Sequence, residues 1–363
     1  MKRLKIGALL FLLAGIGFMV YVGIRGWTIS SAPYSPAPAP ALEGVLSVNE
    51  RLTDADLIGQ GKILRPEDIA LDSEGRIYAG SNEYRKIYRV TPGKEPSIEV
   101  FADLQSLPVG MKFDNEGNLI VCDVPRGLVS ISPDGKQTVL VSEFEGKEFG
   151  FIDDVDVAKD GRIFFSDASE RFTGRNGNPG WEYEAMDSRP YGRLFVFDPK
   201  TRETKLLLKD LYFANGIAVA EDSSFVLVAE TFRTRITRYW LSGPTAGRSD
   251  VFAENLPGYP DGVLGDGRGG FWVAFPSKRE AALEMILPYP FIKNIVTALP
   301  KSIWLRSGKY GFIAHMDGTG NITETLHDPK GRVYSVTNVV ERNGALYLGT
   351  LTGDSIAKIQ LKK

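Results

Sequence analysis

Six short words recur along the chain: "DSEGRIYAGS", "DNEGNLIVCD", "KDGRIFFSDA", "EDSSFVLVAE", "GRGGFWVAFP" and "RNGALYLGTL". Each is a polar turn closing on Gly or Ser, followed by a run of β-formers. With Gly75, Gly117, Gly161, Ser223, Gly269 and Gly344 as equivalent points, the spacings are 42, 44, 62, 46 and 75 residues. Repeats of about 40–50 residues with several strands each are the mark of a propeller. Six copies predict an all-β, six-bladed β-propeller, with the two longer intervals taken up by insertions at about 169–192 and 276–310. The repeat also settles the reading of "GDGRGG" (265–270), which has the G-x-G-x-x-G spacing of a dinucleotide cradle. Such a cradle needs a helix behind it, so that the helix N-terminus faces the pyrophosphate. Here Phe271, Trp272, Val273, Ala274 and Phe275 follow, a strand. The segment is the fifth copy of the turn.

Composition narrows the chemistry. With 43 basic and 45 acidic residues the net charge is -2, which gives no support to a nucleic-acid partner. The single cysteine, Cys122, excludes an internal disulfide framework and a Cys-based zinc site. His315 and His327 are the only histidines. Carboxylates and amides must carry any polar chemistry.

Residues 6–24, "IGALLFLLAGIGFMVYVGI", form an uncharged apolar run of 19 residues. As a helix it would cover roughly 28 Å, enough to cross the hydrocarbon of a bilayer. Lys2, Arg3 and Lys5 precede it and Arg25 follows, which leaves the N-terminus cytoplasmic. The alternative is a cleaved signal peptide, whose apolar region is usually shorter, about 7–15 residues. The expected organisation is a cytoplasmic tip (1–5), an N-terminal transmembrane helix (6–24), a tether and lead-in (25–58) and the propeller (59–363). The propeller then lies on the periplasmic, extracellular or lumenal side. The Pro/Ala/Ser stretch at 31–44 reads as an extended spacer off the membrane.

Counting back eight residues from each turn point gives Glu67, Val109, Asp153, Asn215, Asp261 and Val336. Four of the six copies thus place a carboxylate or amide at one structural point, just before the strand a propeller puts innermost. Symmetry would bring these side chains to the central axis. Asp and Asn before a strand are also ordinary turn formers, but four at a common offset favour a metal site. An oxygen-only donor set suits a hard divalent cation, and Ca²⁺ tolerates irregular geometry better than Mg²⁺. Gathered without a cation, the three carboxylates would repel one another and hold raised pKa values.

At these residues the chain resembles the superfamily of six-bladed calcium propellers that includes gluconolactonase/regucalcin-type lactonases, paraoxonases and strictosidine synthase-like proteins. The resemblance lies with the last branch, in particular its membrane-anchored members akin to adipocyte plasma membrane-associated protein. It is carried by "FIDDVDVAKDGRIFFSDAS", "LYFANGIAVAEDSSFVLVAET", "ENLPGYPDGVLGDGRGGFWVAF", "LHDPKG" and "NGALYLGTL", in family order across about residues 60–360. It implies Ca²⁺, or another divalent cation, held by Glu67, Asp153, Asn215 and Asp261. Asp153 departs from the Asn usual there, and Asp154 beside it is expected as a second partner. Strictosidine synthases use a last-blade glutamate for condensation; "VVERNGALYLGT" aligns Thr337 there, which cannot serve as a base, so that chemistry is disfavoured. The histidine pair of paraoxonases has no counterpart, and His327 reads as a structural residue.

The remaining chemistry is calcium-dependent hydrolysis of a lactone or activated (aryl) ester, with Asp261 or Asp153 accepting the water proton. The alternative is a non-catalytic binding scaffold with structural calcium. Phe172, Trp181, Tyr183 and Tyr191 on the first insertion suit an apolar substrate at the channel mouth, or packing on a neighbouring blade. The second insertion (278–308) reads as one or two amphipathic helices lying on the bilayer, capping the channel or packed outside.

Overall fold

The computed structural model describes Leu13, residues 15–18, Val20, Tyr21, and residues 29–175, 180–304 and 307–361. Most of the expected 6–24 span lies outside the described residues, as do 176–179 and 305–306 of the two insertions. Among the described residues no helix is long and apolar enough to cross a membrane.

Six four-stranded antiparallel sheets form the six blades. Blades 1 to 5 run in chain order over residues 66–103, 107–141, 152–211, 214–253 and 263–328. Blade 6 takes three strands from 336–360 and its fourth, Asp56–Ile58, from the other end of the chain. Asp56 pairs with Lys358 and Ile58 with Ile356, which ties the two ends together. The propeller therefore begins at residue 56, and the lead-in expected to stop at 58 supplies the closing strand. The first strands of the blades are Pro66–Leu71, Leu107–Phe113, Ile152–Val157, Ala214–Val219, Val263–Gly265 and Val336–Arg342. Each touches the next, and the last returns to the first, so these six line the axis.

Continuous apolar strands follow from burial on both faces. In "FVLVAE" (Phe225–Glu230), Leu227 and Ala229 point into the cluster with Phe271, Val273 and Phe312 of blade 5. Val226 and Val228 point the other way, onto Phe164, Leu194 and Val196 of blade 3. "GDGRGG" is a turn, as expected, with Asp266 Oδ1 accepting from Arg268 N and Gly270 N at 2.7 and 2.9 Å.

The inner ring is sealed at one repeated position, the residue after each eight-residue offset point. Asp68 accepts from Ile69 N at 2.7 Å and from Met111 N of blade 2. Gly110 packs on the Asp153–Asp154 backbone of blade 3. Asp154 accepts from Val155 N at 2.8 Å and from Ile217 N of blade 4 at 2.7 Å. Gly216 N donates to Asp261 O at 3.1 Å, and Gly262 N to Thr337 O at 2.8 Å. Thr337 Oγ1 donates to Glu67 O at 2.5 Å and closes the circle. Asp154 is thus a clip between blades 3 and 4, not only the second partner the resemblance implies.

Two corrections concern the segments outside the ring. The stretch 31–44 is not a free spacer: it lies against the propeller. Arg279 Nη2 and Asn255 Nδ2 donate to Ala37 O and Pro38 O at 2.6 and 3.1 Å, and Arg233 stacks on Tyr34 at 3.7 Å. Proline-rich backbone keeps its carbonyls unpaired, so exposed donors capture it. The first insertion carries helix α1 (Glu182–Asp187), and the second carries α2 (Ala281–Ile286) and α3 (Pro290–Ala298). Helix α3 packs on α1, so the two insertions form one cap.

His327 is structural, as expected. It is fully buried, stacked on Phe312 at 4.4 Å, with Tyr310 Oη 2.9 Å from Nδ1 and Thr325 Oγ1 3.0 Å from Nε2. Burial, then nearby Lys278, pushes its pKa down to about 4. The fold therefore holds it neutral where the unfolded chain would protonate it. That contribution is full above about pH 6.5 and is lost as pH falls toward 4. His327→Gln should lower Tm at neutral pH yet flatten its dependence on pH over that window, read by thermal melts. The seam gives a second expectation. A Cβ at Gly216 would collide with Asp261 O and Val263 N, whereas one at Gly265 meets nothing within 4 Å. Gly216→Ala should cost more than about 2 kcal/mol in denaturant unfolding, and Gly265→Ala less than about 0.5 kcal/mol.

Candidate metal and substrate site

The residues expected at the axis are brought there by a repeated irregularity. Pairing of the first strand with the second slips between Pro66 and Asp68, Pro108 and Met111, Ile152 and Val155, Ala214 and Ile217, and Val336 and Val339. A bulge takes a residue out of the pleat and re-aims its side chain. Glu67, Asp153 and Asn215 therefore sit inside the first strands, not before them as the sequence suggested; only Asp261 precedes its strand by two residues. The ladder continues through the donors because the bulge absorbs the extra residue.

Glu67, Asp153, Asn215 and Asp261 all line one small axial cavity. The two valines at the same offset do not. Val109 is buried with Ile152 and Phe165, and Val336 with Trp272 and Ile313. A fifth donor, Asn338, reaches the same cavity and was missed by the sequence reading. Blade 6 has the same slip as blades 3 and 4, but its turn comes one residue sooner and its donor stands one residue further along, so counting back from Gly344 falls on Val336. The Asn shared by "FANGIAV" and "VTNVV" was the available signal.

Glu67, Asp153 and Asn215 are buried, and Asp261 is half-buried. Burial pushes the Glu67 carboxyl well above its ordinary range, with Asp261 and Asp154 adding to it and Arg65 opposing. Asp153 is raised by burial, then by Glu67 and Asp261. Asp261 is raised by burial and Asp154, while the Asn215 amide works the other way. The three carboxyls repel one another, as expected for such a gathering.

Among the described residues no group of three or more His, Cys, Asp or Glu side chains is arranged as a ready metal cage. The donor chemistry nonetheless fits a hard cation. Besides the seam residues Asp68, Asp154 and Thr337, five oxygen-bearing side chains line the cavity, and buried Glu67 Oε2 and Asn338 Oδ1 have no hydrogen-bond partner. Buried polar atoms are satisfied as a rule, so two orphans facing one cavity mark a place for a positive ligand.

An aromatic wall gathers where the first strands of blades 3 and 4 begin. Phe151 and Phe213 immediately precede strands Ile152–Val157 and Ala214–Val219, with ring centroids 6.2 Å apart. Trp181 of the first insertion lies 6.2 Å from Phe213, and Phe232 lies 5.0 Å from it. The other loop aromatics pack elsewhere: Phe172 is fully buried against Tyr191, and Tyr183 meets Trp304 at 4.9 Å. His315 sits among the outer strands of blade 5, 3.0 Å from Asp266, and takes no part in the cavity.

Relatives agree with this architecture. A sequence profile described as Strictosidine synthase matches residues 153–244, and one described as Strictosidine synthase-like, N-terminal, matches 44–83. Protein STRICTOSIDINE SYNTHASE-LIKE 7 of Arabidopsis thaliana is 36% identical over 320 residues, 87% of this chain and 84% of that protein. The chain belongs to the strictosidine synthase-like family. Adipocyte plasma membrane-associated protein of Homo sapiens is 30% identical over 356 residues, 92% of this chain and 84% of that protein. Among solved structures, a gluconolactonase from Xanthomonas campestris aligns with a TM-score of 0.63 at 18% identity, covering 92% of this chain and 97% of that one. A calcium-binding protein, regucalcin, from Agrobacterium tumefaciens aligns at 0.56 and 14% identity, covering 91% and 96%. At those identities the likeness shows a shared fold.

Thr337 is engaged as a seam donor to Glu67 O at 2.5 Å. The electrostatic tension in the cavity makes a stability prediction. In chelator-treated protein, Glu67→Gln should raise Tm by a few degrees, because it removes one of the mutually repelling carboxyls. Thr337→Val, which only opens the seam, should lower Tm. A fall for both would contradict the electrostatic account.

Proposed function

We propose that this strictosidine synthase-like chain is a membrane-anchored, calcium-dependent hydrolase of lactones or activated aryl esters. The observation that carries the reading is the convergence of Glu67, Asp153, Asn215, Asp261 and Asn338 on one cavity, with Glu67 Oε2 and Asn338 Oδ1 unpartnered. Glu67, Asp153, Asn215 and Asp261 would hold the cation, and Asn338 is placed to join them. A bound Ca²⁺ supplies Lewis-acid polarisation of a substrate carbonyl. The gluconolactonase fold shared at 18% identity supports an ester-type bond as the target.

The protein's own groups do the rest. Asp261, half-buried where Asp153 is buried, is the carboxylate that an incoming water meets first. It takes a proton from that water as the water oxygen bonds to the carbonyl carbon. It then returns the proton to the departing alkoxide or phenoxide as the carbon–oxygen bond breaks. Asp153 is the second candidate for this duty. Phe151, Trp181 and Phe232, half-exposed around Phe213, offer an apolar face to an aryl or acyl group. The cavity has room for little more than a water molecule, so only the reacting bond approaches the donors while the substrate's bulk lies against this wall. Thr337 is a neutral hydroxyl committed to Glu67 O, which disfavours condensation of the strictosidine type.

A second reading, a binding scaffold with a structural ion, is favoured by the same seam: the donors stand on the strands that close the ring. A panel of lactones, phenyl acetate and a phosphotriester, run with and without EDTA, separates the two. The hydrolase predicts chelator-sensitive turnover, with Asp261→Ala reducing kcat by about 10²–10⁴-fold. Loss of thermal stability in EDTA with no turnover of any substrate would leave only the scaffold.

A further inference from the structure

The cap made by the two insertions has an outer face that the hydrolase reading does not use. Residues 281–300 contain one acid, Glu284, and one base, Lys293. Both are turned inward. Arg279 Nε holds Glu284 at 2.5 Å, and buried Lys293 donates to Ala32 O at 2.6 Å and Ser188 Oγ at 2.9 Å. What remains outward is apolar: Met285 is 70% exposed, Tyr289 56%, Phe291 60% and Ile292 40%. A charge-free cluster of large apolar side chains is not an ordinary soluble surface.

Two further observations say what covers it. First, the chain leaving the 6–24 run is fastened to this cap. Arg189 Nε donates to Ser30 O at 2.6 Å, Ser31 Oγ to Pro290 O at 3.3 Å, Ala32 N to Asp187 O at 2.8 Å, and Tyr34 N to Leu287 O at 3.1 Å. Ile29 is buried. Ile29 lies five positions after Ile24 in the sequence, a stretch that an extended chain spans in at most about 18 Å. Second, the cap stands on the donor face of the propeller. Ile152 pairs with Asp167, so residues 168–191 emerge beside Asp153. Asp261 N donates to Ala274 O at 3.0 Å, so residues 275–310 emerge beside Asp261.

We infer that the α2–α3 face, through Met285, Tyr289 and Ile292, docks into the surface of the lipid bilayer and turns the mouth of the axial cavity toward the membrane. The inference rests on the reading of 6–24 as an anchor and deepens the proposed function. Helices without outward charge settle about 5–10 Å into the headgroup–acyl boundary, with Tyr at the polar interface. The substrate class that follows is an amphiphilic ester or lactone partitioned into lipid, which reaches the aromatic wall without crossing bulk water.

The test uses the full chain reconstituted in vesicles of phosphatidylcholine with a minor share of phosphatidylglycerol. Tyr289→Cys and Met285→Cys are labelled with an environment-sensitive fluorophore. Glu116→Cys, on the exposed turn at the opposite end of blade 2, is the control, and Cys122 is buried and stays unlabelled. Flotation reports the anchor, and quenching by acyl-brominated lipid reports docking. The expected result is that the chain floats, with blue-shifted, quenched emission at 285 and 289 and neither change at 116. A floating chain whose labels at 285 and 289 behave like the one at 116 overturns the docking and leaves the anchor standing. Blue-shifted emission that brominated lipid does not quench means that a second copy or another protein covers the face, and also overturns it. A chain that stays in the soluble fraction overturns anchor and docking together.

Discussion

Six strands around one axis must approach until backbone meets backbone, and a side chain at the point of contact either bridges the gap or must be absent. This chain meets that constraint at one position in every blade. Asp68, Asp154 and Thr337 bridge with hydrogen bonds, and Gly110, Gly216 and Gly262 bring no side chain at all. Around the ring the order is Asp, Gly, Asp, Gly, Gly, Thr. Each residue answers to the backbone of the following blade, and Thr337 returns the contact to Glu67.

The candidate site is a direct product of that seam. A residue one place before a fixed contact has its own direction fixed, and in blades 1, 3 and 4 the bulge beside it turns the side chain inward. Glu67, Asp153, Asn215 and Asp261 therefore share a cavity although they come from four blades. The cost is electrostatic, since buried carboxyls that raise one another's pKa work against the fold. Lys112 offsets part of this deeper in the channel, 2.8 Å from Asp156. A site that strains its own scaffold is what a binding or catalytic role requires.

Much of this was legible in the sequence. Gly75, Gly117, Gly161, Gly269 and Gly344 all have positive φ, between 73° and 91°, so the turns that punctuate the repeat are fixed by backbone sterics and visible as glycine. The four donors were legible because their distance from those turns is constant. Asn338 was not, because in blade 6 the turn comes one residue sooner after the slip and the donor stands one residue further along, which breaks the constant count. The seam escaped notice for a related reason. Asp, Gly and Thr share no property in sequence, and only the neighbouring backbone shows that they solve one problem. The strand Asp56–Ile58 is too short for its alternation to register, and its partner lies some 300 residues away. The stretch 31–44 reads as a spacer because its composition says extended, which is true of its conformation and silent about what holds it.

The family and the fold place the chain among propellers with gluconolactonase-like and regucalcin-like architecture, and the donor set gives this one its own chemistry to test. The decisive measurement is a crystal structure of the protein grown with calcium, its metal identified by anomalous scattering. A single peak bonded to oxygens of Glu67, Asp153, Asn215 and Asp261 is the predicted result. An axial cavity without metal at saturating calcium, its carboxyls still apart, would contradict the account.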